Sequence, residues 1–125
     1  MNKTAQNEVT EIISQKIGDL ILEKKGRDVS ILDVRKITPM TDFFVICTSD
    51  SHPQTNAIYK HVQDSLLEDD IKPWHIEGAQ KKDWVLMDYV NIVVNIFSPE
   101  SREFYNLERL WGDADITELE QEESE

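Results

Sequence analysis

The sequence has one cysteine, Cys47, four prolines, and four glycines scattered at positions 18, 26, 78 and 112. A single cysteine excludes an internal disulfide and any multi-cysteine metal site. Scattered glycines leave no glycine-rich phosphate loop. No apolar run can span a bilayer, because the most apolar stretch, Ile92-Val93-Val94, ends at Asn95. Met1 to Thr4 runs into Glu8 and Glu11 without the apolar core of a secretion signal. Basic residues are scarce, 13 against 25 acidic ones, giving a formal net charge of −12 and a pI near 4.6. That deficit speaks against nucleic acid as the main contact, since Lys and Arg must replace counterions along the phosphates. It speaks equally against an anionic membrane surface. A basic protein partner suits the charge, and the chain reads as cytosolic.

What is present fits one globular domain. The chain has 125 residues, 39% hydrophobic and 30% charged, enough to cover roughly two-thirds of the unfolded surface. Residues 5–25 carry Val9, Ile12, Ile13, Ile17, Leu20 and Ile21 at the spacing of one helical face, with Gly26 as the left-handed stop. Val29 to Val34 and Phe43 to Cys47 read as strands, the second apolar throughout and so central in a sheet. Ser51-His52-Pro53-Gln54 is a capping box for a helix reaching Glu68, with Ile58, Val62 and Leu66 inward. Lys72 to Glu77 is a further strand, and strand, helix, strand in this order implies a parallel crossover. Ser98-Pro99 opens one last helix with Phe104, Leu107, Leu110 and Trp111 as its apolar positions, ending at Gly112. Residues 1–112 thus form the domain, an α/β unit with a mixed sheet of about five strands. Asp113 to Glu125 holds seven acidic residues and no Lys or Arg, and reads as a disordered acidic tail.

Trp84–Asp88 and Ile92–Phe97 form an antiparallel hairpin. A two-residue turn at Val90-Asn91 pairs Tyr89 with Ile92, Met87 with Val94 and Val85 with Ile96, an apolar face that must be core. The opposite face pairs Asp88 with Val93, Leu86 with Asn95 and Trp84 with Phe97. Either a helix covers this mixed face, or it binds a protein, as oriented polar groups beside Trp and Phe do at hot spots. Spacing alone weighs these equally.

Signals for chemistry are weak. His52, His61 and His75 have no neighbouring His or Cys at metal-ligand spacing. Cys47 lies in the most apolar strand, the setting of an inert thiol. Nucleotidyl transfer needs two carboxylates at i and i+2 on one strand face, but Asp33 has only Ile31 at the paired position. Asp33, Asp42, Asp83 and Asp88 read as strand-end and turn residues rather than metal ligands. No cofactor is implied.

The hairpin Asp83-Trp84-Val85-Leu86-Met87-Asp88-Tyr89 with Ile92 to Phe97 resembles that of the ribosomal silencing factor family RsfS (Iojap, YbeB). So do the segment Glu100 to Trp111, the strand Thr41 to Cys47, and Ile71-Lys72-Pro73 with Glu77-Gly78. The resemblance covers about residues 8–115. It implies a domain related in fold to nucleotidyltransferases but lacking their catalytic residues, and hence no enzyme. It implies binding to protein fourteen of the large ribosomal subunit, steric exclusion of the small subunit, lowered translation when nutrients are scarce, and a homodimer when free. The family's contact surface includes the hairpin Trp and Asp, here Trp84 and Asp88; Leu86, Tyr89, Asn95 and Phe97 complete the expected patch. The alternatives are a large-subunit assembly factor and a metal-dependent nucleotidyltransferase relative. The family usually has Gly-Asp where this hairpin turns at Val90-Asn91, and Val is ill suited to a left-handed turn position.

Overall fold

The computed structural model describes residues 3–120, with side chains of the first helix described from residue 8. The chain runs α1 (Lys3–Glu23), β1 (Arg27–Asp33), β2 (Phe43–Thr48), α2 (His52–Glu68), β3 (His75–Glu77), β4 (Trp84–Asp88), β5 (Ile92–Phe97), α3 (Pro99–Tyr105), α4 (Leu107–Leu110) and β6 (Asp115–Leu119). All six strands join one mixed sheet in the order β3-β4-β5-β2-β1-β6. The α/β class is as expected, with one strand more than the sequence suggested. β2 pairs parallel with β5, and the other neighbours are antiparallel. β3 therefore runs parallel to β2, with β4 and β5 inserted between them.

The central position of β2 follows from its composition. Of its six residues only Phe44 is not fully buried, so both faces are covered. One face carries the main core, where Ile17, Leu20 and Ile21 of α1 and Ile58, Val62 and Leu66 of α2 meet Val45, Val85, Met87, Val94 and Ile96. The other face carries a smaller core of Leu32, Val34, Ile46 and Phe97, with Trp84, Leu107 and Trp111 packed against it.

At α2 the N-cap half of the capping box forms, and the return bond of Gln54 reaches the N–H one residue before the cap. Ser51 Oγ accepts from the Gln54 N–H at 3.2 Å, while Gln54 Oε1 accepts from the Asp50 N–H at 2.8 Å. At the end of α1 the left-handed position falls on Lys25, φ 67°, not on Gly26. Gly26 is needed for room instead: a Cβ there would stand 2.3 Å from Ile21 Cγ2. The apolar face of α1 is also shorter than its periodicity suggests. Val9 and Ile12 are exposed, and Thr10 and Ser14 take the inward positions of the first turns.

Two expectations near the C-terminus are corrected. The predicted single last helix breaks at Asn106, whose left-handed backbone, φ 44°, ends α3 and caps α4. Arg102 fixes this corner by donating to Glu108 at 2.7 and 3.2 Å and to Thr48 Oγ1 at 3.0 Å. The break turns Leu107 and Trp111 inward and leaves Phe104 and Leu110 outside. The acidic segment is likewise not wholly unstructured. Asp115–Leu119 is the edge strand β6, paired with β1 from Val29↔Leu119 to Asp33↔Asp115. Ile116 and Leu119 supply too weak an apolar pattern to show this in the sequence. Leu119 is seated because Gly18 of α1 has no side chain; a Cβ there would meet Leu119 Cδ1 at 2.3 Å. Residues 121–125 of the predicted tail lie outside the described residues.

Deleting residues 114–125 should therefore destabilise the domain by at least about 1 kcal/mol, lowering the melting midpoint by about 4 °C. A thermal unfolding curve of the truncated chain checks this, and an unchanged midpoint would show that β6 contributes nothing.

Candidate functional site

The hairpin pairs as its spacing predicts. Trp84↔Phe97, Leu86↔Asn95 and Asp88↔Val93 share one face, and Val85↔Ile96 and Met87↔Val94 share the other. The turn has two residues but is not the primed type that usually closes such a hairpin. The Tyr89 N–H donates to the Ile92 carbonyl at 2.9 Å, and the Asn91 N–H donates back to the Tyr89 carbonyl at 2.9 Å. That second bond closes a γ-turn around Val90, whose φ is 75°. Asp88 Oδ1 accepts from the Val90 N–H at 2.7 Å. The Asn91 carbonyl accepts from the Asp42 and Phe43 N–H groups at 3.0 and 3.1 Å, tying the tip to the start of β2.

The mixed face divides into two regions. At the Trp84 end a helix covers it. The Trp84 ring lies 5.1 Å from Phe97 and 4.5 Å from Tyr105 of α3, centroid to centroid. Its Nε1–H donates to Asn95 Oδ1 at 2.9 Å. Asn95 and Phe97 are buried, so neither offers a surface to a partner. Asn95 serves instead as the buried acceptor that orients Trp84. Tyr89 stands on the opposite face against the main core, and burial pushes its phenol up to about 12. Of the six residues expected in the contact patch, Leu86 and Asp88 alone line an open surface groove at this end of the sheet.

That groove is lined by Phe44, Leu86 and Val93 of the sheet together with Thr41. Met40, Trp74 and Val90 also line it, exposed by 81, 71 and 56%. Its charged or titratable residues are Asp88, Glu77 and His75, and among the described residues no Lys or Arg lines it. His75 Nε2 lies 3.0 Å from Glu77 Oε1, and the Trp74 N–H donates to the Asp88 carbonyl at 2.7 Å. An apolar concavity with carboxylates at its margin suits a side chain with an aliphatic stem and a cationic head, which Trp74 can also contact through its ring. Met40, Phe44, Trp74, Val90 and Val93 were not among the residues picked from the sequence. Trp74 stood inside the segment Lys72 to Glu77 that reads as a strand, where spacing does not tell an exposed ring from a packed one. Phe44 was hidden in a continuous apolar run.

Other groups are engaged locally. Burial raises the Cys47 thiol to about 12, so it packs as a small hydrophobe. Arg35 hydrogen-bonds Asp33 at 2.6 Å and holds its carboxyl below the usual range. His52 faces Asp83 at 3.4 Å, and His61 faces Glu23 at 2.7 Å. Among the described residues, no group of three or more His, Cys, Asp or Glu side chains is placed to hold a metal ion. No helix among them is long and apolar enough to cross a membrane.

Residues 6–125 match the family model described as "Ribosomal silencing factor during starvation". The chain belongs to the ribosomal silencing factor family. It is 37% identical to the ribosomal silencing factor RsfS of Bacillus subtilis over 97 residues, covering 78% of this chain and 82% of that protein. It is 31% identical over 99 residues to the mouse protein named "Mitochondrial assembly of ribosomal large subunit protein 1", covering 74% of this chain and 42% of that one. A crystal structure of a Chromobacterium violaceum protein superposes with a TM-score of 0.79 at 32% identity, covering 82% of this chain and 85% of that chain. The family's business is the ribosome and its regulation. The family model reaches Glu125, so the acidic C-terminal segment lies inside the silencing-factor match rather than appended to it.

The packed end and the open end of the hairpin face respond differently to mutation. Trp84→Ala should destabilise by about 3 kcal/mol, from lost ring packing and an orphaned buried Asn95 amide. Trp84→Phe, which removes mainly the hydrogen bond, should cost about 1 kcal/mol. Denaturant unfolding of both variants measures this; equal stability of Trp84→Ala and the natural chain would put Trp84 outside the core.

Proposed function

We propose that this silencing factor binds protein fourteen of the large ribosomal subunit through the groove between Met40, Trp74 and Val90. Bound there, it blocks joining of the small subunit by steric exclusion and represses translation when nutrients are scarce. It works in the cytoplasm without catalysis. The observation that carries this reading is the groove itself. It is an apolar concavity on an uncovered part of the sheet, edged by Asp88 and Glu77 and free of Lys and Arg, on a chain of net charge −12. Such a surface is repelled by ribosomal RNA and attracted to a basic ribosomal protein. Exposed Met, Trp and Val side chains around an apolar floor supply the anchors of a hot spot. A metal-dependent transferase role finds no support, because Asp33 is engaged by Arg35 and has Ile31 at the i−2 position.

A second reading is favoured by the relative named for assembly of the mitochondrial ribosomal large subunit. The binding surface is then the same, and the purpose is maturation of the large subunit.

Asp88→Asn keeps an oxygen for the Val90 N–H while removing the charge. It should weaken binding to isolated large subunits by about tenfold and flatten the salt dependence of that binding. Co-sedimentation across a salt series measures both. The natural chain should pellet with isolated large subunits and not with joined ribosomes. Equal binding to joined ribosomes would contradict steric exclusion.

A further inference from the structure

Val90 occupies a position that its own backbone disfavours. A β-branched residue at φ 75° is an outlier, since its Cβ crowds the carbonyl in the left-handed region. Glycine adopts this conformation freely. The conformation is over-determined by its surroundings. Asp88 Oδ1 holds the Val90 N–H, the Asn91 N–H holds the Tyr89 carbonyl, and the Asn91 carbonyl is held by Asp42 and Phe43. The isopropyl group gains little within the chain, because Val90 is 56% exposed. It lines the groove with Met40 and Trp74. Local strain maintained by a rigid frame, around a side chain that is not packed, is the pattern of a functional contact.

We infer that the Val90 side chain is a contact made with the basic ribosomal partner, held rigid at the groove's margin by the γ-turn in exchange for fold stability. This rests on the groove being the large-subunit binding surface. In the complex the isopropyl group closes over the apolar part of the partner's side chain, and its loss leaves that stem facing water. A γ-turn with a fixed tip presents the contact without an ordering cost at binding.

Val90→Gly tests the inference because it should move stability and affinity in opposite directions. The melting midpoint should rise by about 2–4 °C, while affinity for isolated large subunits should fall by about tenfold, equivalent to about 1.4 kcal/mol. Val90→Asn controls for added flexibility, since Asn tolerates the left-handed region and still lacks the apolar group; it should also bind about tenfold more weakly. Full affinity in both variants overturns the inference. So does full affinity in Val90→Asn alone, which would assign the glycine effect to backbone freedom. Leu86→Asp and Val93→Asp in the groove floor separate this from failure of the broader reading. If those two bind normally, the groove is not the binding surface and both conclusions fall. If they abolish binding while the Val90 variants keep it, only the role of Val90 falls.

Discussion

The carbonyl of Asn91, accepting from two successive N–H groups at the start of β2, is the interaction on which the geometry of the groove depends. It joins the tip of the β4–β5 hairpin to the central strand and so helps set two registers. Side chains alternate across a sheet with a period of two, so a slip of one residue would move every side chain of β5 to the other face. With the tip pinned, Phe44 stands beside Val93 in the parallel pair and Asp88 beside Val93 in the antiparallel one. Those three side chains, with Leu86, form one continuous surface only in this register.

The same face of the sheet carries both a core and an open groove because α3 and α4 are short. Seven and four residues long, they cover Trp84, Phe97, Leu32 and Ile46 and reach no farther than the Phe44–Trp111 contact at 5.5 Å. The opposite face lies under two long helices and carries the main core. Charge completes the division. On a chain with nearly twice as many acidic as basic residues, the groove holds Asp88 and Glu77 and, among the described residues, no Lys or Arg, a charge that suits a basic protein better than RNA.

Much of the fold was legible in the sequence, for local reasons. The hairpin register followed from a two-residue turn at Val90-Asn91 together with the alternation of the strands, and α2 from its Ser51 cap and the Ile58, Val62, Leu66 stripe. Failures arose where tertiary contacts outweighed local pattern. β6 is a strand because β1 offers an unpaired edge and Gly18 leaves room for Leu119, neither of which the acidic composition reveals. The break at Asn106 depends on Arg102 reaching Glu108 and Thr48 from the preceding helix. The groove was half legible. Leu86 and Asp88, which line it, were picked from the mixed face, whereas the buried Asn95 and Phe97 were picked with them because spacing cannot tell where a covering helix ends. Met40 and Trp74 enter the groove from loops, and no periodicity marks them.

On the proposed reading the ribosome is met by the groove and not by the ridge that the exposed Phe104 and Leu110 form on α3 and α4. Oxidative footprinting measures this in one experiment, because each surface carries a reactive, well exposed side chain: Met40 and Trp74 at the groove, and Phe104, 81% exposed, on the ridge. With saturating large subunits, oxidation of Met40 and Trp74 should slow severalfold while that of Phe104 stays at its free rate. Protection of Phe104 with Met40 and Trp74 unchanged would contradict binding through the groove and move the contact to the helical ridge.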